Sequence, residues 1–135
     1  MSPPTPSACY GATNPTPAEL ASRPVQRFAS MIGLDAEKEQ YYRELHGNVW
    51  PAVIARLRAS HIQNYSIWVT EIEGRRYLFS YMEYTGDDRA ADMRAMAEDP
   101  ETQRWWLETD PCQFQLPSRQ PGANWSVMEM VFRME

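Results

Sequence analysis

Two histidines, His46 and His61, are the only imidazoles in the 135-residue chain. Such a ring titrates near ~6.5 and can both give and take a proton around neutrality. His46 follows Tyr42 by one helical turn, so on a helix the two side chains share a face. His46 then reads either as a helix-end histidine bonded to a nearby carbonyl or as a general acid/base. His61, just after Ser60 and before an alternating segment, reads as a cap or a surface residue. Tyr65 alternates with Ile67 and Val69. It is either a core aromatic with its hydroxyl at the edge, or a phenol that donates to an oxygen gaining charge. Trp105 and Trp106 are adjacent, so on a helix they diverge by ~100° and cannot share one task. One reads as core and the other as free to stack on a sugar ring or a partner. Glu83 lies on a segment otherwise rich in buried types, where a carboxylate needs a partner or a function.

Other chemistries are excluded more firmly. Two histidines cannot build a multi-histidine metal site, and the HExxH, phosphate-loop, dinucleotide and Gly-x-Ser-x-Gly signatures are missing from the sequence. The residues by themselves therefore carry no pointer to a metal or a cofactor. A formal charge of −5, with no Lys/Arg run, argues against nucleic acid or an anionic membrane as partner. Cys9 and Cys112 are far apart, which argues against a disulfide staple and for a reducing compartment. No apolar run is long enough to span a membrane, and no basic region followed by an apolar core stands at the start, so a cytoplasmic location is expected. Five Trp and seven Tyr suit an oligomer interface or a pocket for a flat, partly apolar ligand.

The elements that must position these residues follow from periodicity. Residues 1–25 carry six prolines among small polar residues, which predicts no helix or inner strand but a tail that is mobile or laid along the surface. The domain, residues 26–135, opens with a strand from Gln26 to Ile32. Asp35 can cap a helix that runs into Tyr42 and His46 and breaks near residues 47–51, because Pro51 has no N–H for the Gly47 carbonyl. A second helical segment continues to about Ser60, followed by a strand over 62–70, a turn at Glu73-Gly74 and a strand over 76–84. Both faces of that last strand are apolar or aromatic, as expected of one buried on both sides. A helix starts near Asp87 or Asp88 and is interrupted at Pro100, with a short turn over 101–109, a loop over 110–123 and a final strand over 124–134. The order β-α-β-β-α-β predicts an α+β fold of the ferredoxin-like, split βαβ kind, with an antiparallel sheet and helices on one face. Its second face then needs a ligand pocket, a second subunit, or both.

Several stretches resemble the L-rhamnose mutarotase family: Tyr42-Arg43-Glu44-Leu45-His46-Gly47-Asn48-Val49-Trp50-Pro51, Asn64-Tyr65-Ser66-Ile67, Tyr77-Leu78-Phe79 with Glu83, and Gln103-Arg104-Trp105-Trp106. The resemblance implies a ferredoxin-like domain that pairs into a dimeric α/β barrel, and cofactor-free interconversion of the α and β anomers of L-rhamnose. It implies His46 and Tyr65 as the proton-transfer pair and Tyr42, Trp105, Trp106 and Glu83 as substrate-binding residues. A monosaccharide and a second copy of the chain are the partners it implies. The sequence departs from the family in its proline-rich start, in Cys112, Phe114 and Leu116 of the 110–123 loop, and in a sheet made more aromatic by Trp68, Met82, Tyr84 and Trp125. Two alternatives follow: an isomerase or cyclase of the same fold acting on a more hydrophobic intermediate, and a non-catalytic dimeric protein that binds a small molecule.

Overall fold

A computed structural model of the chain describes residue 3 and residues 6–135. Strands β1 (Gln26–Leu34), β2 (Ile62–Ile72) and β3 (Arg75–Tyr84) form the body of an antiparallel sheet. Two short strands, β4 (Gln113–Phe114) and β5 (Ser126–Val127), pair with the free edge of β1. The strand order β2-β3-β1-β4 is the one expected of the split βαβ plan. Five α-helices are described: α1 (Pro17–Ala21), α2 (Glu39–Gly47), α3 (Pro51–Ala59), α4 (Arg89–Glu98) and α5 (Pro100–Thr109).

The period-2 pattern sorts the side chains of β1–β3 to two faces. Ile32 faces Leu78 across the β1–β3 pair, and both are almost fully buried with Leu34, Tyr42 and Cys112 in the core under the helices. Ile67, Val69 and Trp125 pack against that cluster. The opposite face carries Tyr77, Phe79, Tyr81 and Glu83 of β3 and Trp68 of β2, of which Trp68 is 66% exposed. Gly33 belongs to this second face, and only a residue without a side chain fits there. A Cβ would lie 2.2 Å from the ring of Phe114, its partner on β4.

Prolines mark helix starts at three places. Pro51 opens α3 after the break that follows Gly47, as its missing N–H favours. Pro100 opens a full ten-residue α5, where the sequence predicted only an interruption and a short turn. Asp99 caps it through Thr102, so the proline begins a new helix directly behind α4. In the same way Pro17 begins α1, and Thr16 and Glu19 form a reciprocal capping box. The expectation of no helix among residues 1–25 is corrected there: proline forbids the interior of a helix and not its first turn. Residues around α1 lie along the surface beside the C-terminal segment, where Arg133 N–H donates to the Thr13 carbonyl and its side chain to that of Val25. The expected final strand over 124–134 shortens to Ser126–Val127, because beyond Met128 the chain leaves β1 for this contact.

The first strand extends two residues past the predicted Ile32, to Leu34. Asp35 caps a turn of 3-10 helix (Ala36–Lys38) that leads into α2. Both cysteines are free, Cys9 exposed and Cys112 buried. No helix among the described residues is long and apolar enough to cross a membrane.

Candidate active site

α2 is fastened to the sheet at its first turn. Glu39 accepts two hydrogen bonds from Arg76 of β3, at 2.7 and 3.0 Å, and one from Arg43 at 2.9 Å. These cations hold its carboxyl down to about 2. With the helix start fixed, Tyr42 and His46 point from one face toward the space between sheet and helices. Tyr42 is buried to 4% exposure, and its ring stacks on His46 at 4.1 Å. Trp105 of α5 meets the imidazole edge-on at 5.2 Å and packs against Trp50 at 5.1 Å.

The hydrogen bonding of His46 decides its tautomer. Nδ1 lies 2.8 Å from the Tyr42 carbonyl oxygen, which can only accept. In the neutral ring the proton is therefore on Nδ1, and Nε2 carries the free lone pair. Burial lowers the pKa of His46 from its ordinary value, and the carbonyl bond offsets part of that. Below neutrality the ring thus stays an unprotonated base further than a solvated histidine would.

His46 is on the wall of a cavity of about 310 Å³ beneath the sheet. Tyr42, Tyr65, Trp105 and Trp106 border the same cavity. An adjoining hollow of about 290 Å³ is bounded again by His46, Tyr65 and Trp105. Tyr65 is 42% exposed and borders both cavities, and desolvation raises the pKa of its phenol. The Tyr42 phenol, which accepts a hydrogen bond from Gln113 at 3.4 Å, is pushed up mainly by burial and further by the nearby Tyr65. Both phenols are therefore neutral donors at working pH. Trp105 is nearly buried and braces His46, while Trp106 is 38% exposed at the cavity rim.

Five of the six residues singled out from the sequence are thus brought together, and Glu83 is not. Its carboxylate lies on the other face of the sheet, accepting from Gln63, Asn64 and Tyr81, which hold it below the usual carboxylate range. Asn64 takes a positive φ at the irregularity between Gln63 and Ser66 that brings both amides onto Glu83. His61 is a surface residue, with Nδ1 2.9 Å from Asp92, whose carboxylate also accepts from Tyr84. The cavity also has residues that the sequence pattern did not single out: Thr102, Thr109, Asp110, Gln113 and Asn124. Gln113 and Asn124 stand in or beside the 110–123 loop, which the sequence reading expected to have a job such as covering a site without naming these residues. Its unusual length was the signal.

Residues 27–134 match the family model described as L-rhamnose mutarotase. The chain belongs to that family. It is 32% identical to the L-rhamnose mutarotase of Bacillus subtilis strain 168 over 87 residues, covering 64% of this chain and 79% of that protein. It is 33% identical to the L-rhamnose mutarotase of Yersinia pestis strain Pestoides F over 108 residues, covering 80% of this chain and 95% of the relative. The crystal structure of the L-rhamnose mutarotase of Formosa agariphila superimposes with a TM-score of 0.61 at 25% identity, over 82% of this chain and 99% of that one. The α+β fold with its antiparallel sheet is therefore that of the family, and α1 lies ahead of the residues matched by the family model.

Proposed function

We propose that the protein interconverts the α and β anomers of L-rhamnose or a related deoxyhexose by acid/base ring opening and closure, with His46 and Tyr65 moving the protons. The supporting observation is the His46 ring itself: Nδ1 is committed to the Tyr42 carbonyl, and the imidazole borders a cavity shared with the Tyr65 phenol. Nε2 takes the proton from O1 of the hemiacetal, and the electron pair of that O–H bond becomes the second bond of the C1 carbonyl. The C1 bond to the ring oxygen breaks, and the Tyr65 phenol supplies the proton that the departing oxygen needs. After rotation about C1–C2, the reverse transfers close the ring on the other face of the aldehyde. On closure the ring hydroxyl returns its proton to Tyr65 and His46 gives its proton back to O1, so the step needs no electron acceptor and no cofactor. Uncatalysed mutarotation is already measurable, and general acid–base help of ~10²–10⁴-fold is enough to matter.

Trp106, exposed at the cavity rim, supplies an aromatic face suited to the apolar C–H patches of a pyranose ring, and Tyr42 and Trp105 form the wall behind it that holds His46. Glu83 stands outside this cavity and receives no substrate contact in the proposal. The wall formed by Met82, Met93 and Met96 favours a second reading, an isomerase or cyclase of the same fold working on a more hydrophobic intermediate. We further propose that a second copy covers the exposed sheet face in a dimeric α/β barrel. Trp68 there is 66% exposed, a costly surface for a lone subunit. Light scattering behind size exclusion tests it, and a monomer at micromolar concentration overturns it.

Saturation transfer between the two anomeric protons of L-rhamnose tests the catalytic reading. Protein-dependent exchange is expected. Binding without exchange supports a non-catalytic binding protein, and indifference to L-rhamnose and other common sugars favours the hydrophobic substrate.

A further inference from the structure

The ladder between β1 and the C-terminal segment stops short of the first residues of β1. Ser30 and Met31 pair with β5, and one more backbone bond runs from Met128 N–H to the Ala29 carbonyl. Beyond it the segment and α1 stand across from Gln26–Phe28 and enclose a hollow of about 240 Å³. Most of its lining is apolar, with Leu20 and Ala21 of α1, Phe28 of β1 and Met130, and the rest includes Arg27 and Arg133. It shares none of these residues with the cavity of His46.

Beside the hollow three arginines converge on one carboxylate. Arg133 donates to Glu135 from Nε at 2.8 Å and from Nη2 at 3.3 Å, and Arg23 donates from Nη1 at 2.5 Å. Nη2 of Arg27 pairs with it at 3.6 Å. The Arg133 bond foremost, with Arg23 and Arg27 adding, holds the Glu135 carboxyl below its usual range. Even with Glu83, which stands opposite Arg27 on β3, cations here outnumber carboxylates three to two, in a chain of formal charge −5. The positive charge is also buried with donors to spare. The Arg133 side chain keeps 2% of its exposure, and neither its Nη1 nor the Nε of Arg27 has a hydrogen-bond partner among the described residues. Unpaired donors on a buried guanidinium are destabilising, and a carboxylate is the acceptor that matches its planar fork. Glu135 keeps 59% of its exposure, so it can turn into solvent and leave its place to an incoming carboxylate.

We infer that this corner is a second ligand site, separate from the proposed catalysis, that takes a carboxylate carried on a short apolar chain. The carboxylate replaces that of Glu135 on Arg23, Arg27 and Arg133, and the chain enters the hollow beside Leu20, Phe28 and Met130. The volume lies below the ~300 Å³ at which pockets for drug-sized ligands begin, which limits the chain to a short one. Leu20, Ala21, Arg23 and Glu135 fall outside the stretch matched by the family model, so the site rests on parts of the chain that the family's shared cavity does not use.

The test is isothermal titration of the purified full chain with sodium octanoate. The comparisons are 1-octanol, which has the chain without the charge, and sodium acetate and inorganic phosphate, which have the charge without the chain. Wild-type protein should bind octanoate at least about tenfold tighter than any of the three. Losing hydrogen bonds to a charged partner predicts that Arg27→Gln weakens octanoate by about 10- to 100-fold. Glu135→Gln removes the charge that competes for the guanidiniums and should tighten octanoate by about threefold or more. Arg133, buried at the centre, is left intact, and circular dichroism checks that both variants fold. Equal affinity for octanol, acetate or phosphate, or no binding of octanoate at millimolar concentration, overturns the site. So does an unchanged affinity in Arg27→Gln, or binding in Glu135→Gln no tighter than in wild type. None of these readouts involves sugar exchange, so the catalytic reading stands or falls separately.

Discussion

Replacing Glu39 by Gln tests whether one charge anchors the helix that bears Tyr42 and His46. The carboxyl falls from 4.5 to about 2 in the folded protein, chiefly through its bond to Arg76. Every tenfold change in proton affinity is worth about 1.4 kcal/mol, so that depression corresponds to a ceiling of about 3 kcal/mol. The Glu39 and Arg76 side chains retain 18% and 27% of their exposure, so solvent screening reduces the expected loss to about 1–2 kcal/mol. The sign follows from linkage: a depressed acid stabilises fully above its unfolded pKa of 4.5, and that stability is lost as pH falls toward about 2. Urea unfolding at pH 7 should show Glu39→Gln less stable by this amount, and the gap should close between pH 4.5 and 2. A loss below about 0.3 kcal/mol at pH 7, or a gap that is unchanged at the acid end, would refute the reasoning.

Four further outcomes follow. Gly33→Ala drives a methyl into the Phe114 ring, so it should cost about 1–3 kcal/mol in urea unfolding, and adding Phe114→Ala should relieve that clash. Burial keeps His46 neutral below its ordinary value of 6.5, so the acid limb of kcat/KM should lie below 6.5; a limb above 6.5 contradicts the buried ring. By the same linkage, His46 contributes stability that is full above 6.5 and declines as pH falls through it, and His46→Gln should flatten that part of the stability profile. Tyr65→Phe should lower kcat by about 10²-fold or more with little change in KM, because it removes a proton and almost no contact area. An equal rise in KM would instead assign Tyr65 to binding.

Much of the fold was legible because period-2 runs and proline positions are local signals. The alternation of Phe28, Ser30 and Ile32 and of Tyr65, Ile67 and Val69 reports strands whose two faces differ, and the β1–β3 and β2–β3 registers follow it. Pro51 was readable as a helix start because Gly47 precedes it. Pro17 and Pro100 play the same role but were masked by surrounding prolines or by a continuous helical pattern. The final strand was over-extended because alternation persists through Met134, while the partner that takes the chain away from β1 at Thr13 is far off in sequence. In the site, the one-turn spacing of Tyr42 and His46 carried over directly. Glu83 shows the limit: its polarity on an apolar strand was a real signal, but which face it occupies and that Gln63, Asn64 and Tyr81 satisfy it are tertiary facts. Asp110 and Gln113 escaped notice for the same reason, since only the packing of α5 and β4 against α2 brings them to the cavity.

The proposed catalysis depends on the unprotonated Nε2 of His46 acting on a bound hemiacetal. The direct measurement is the rate of anomeric exchange of L-rhamnose with wild-type protein and with His46→Ala, both shown folded by circular dichroism and tryptophan fluorescence. The protein-dependent rate should fall by about 10²- to 10⁴-fold in the variant. A folded His46→Ala that still exchanges the anomers at the wild-type rate would contradict that role.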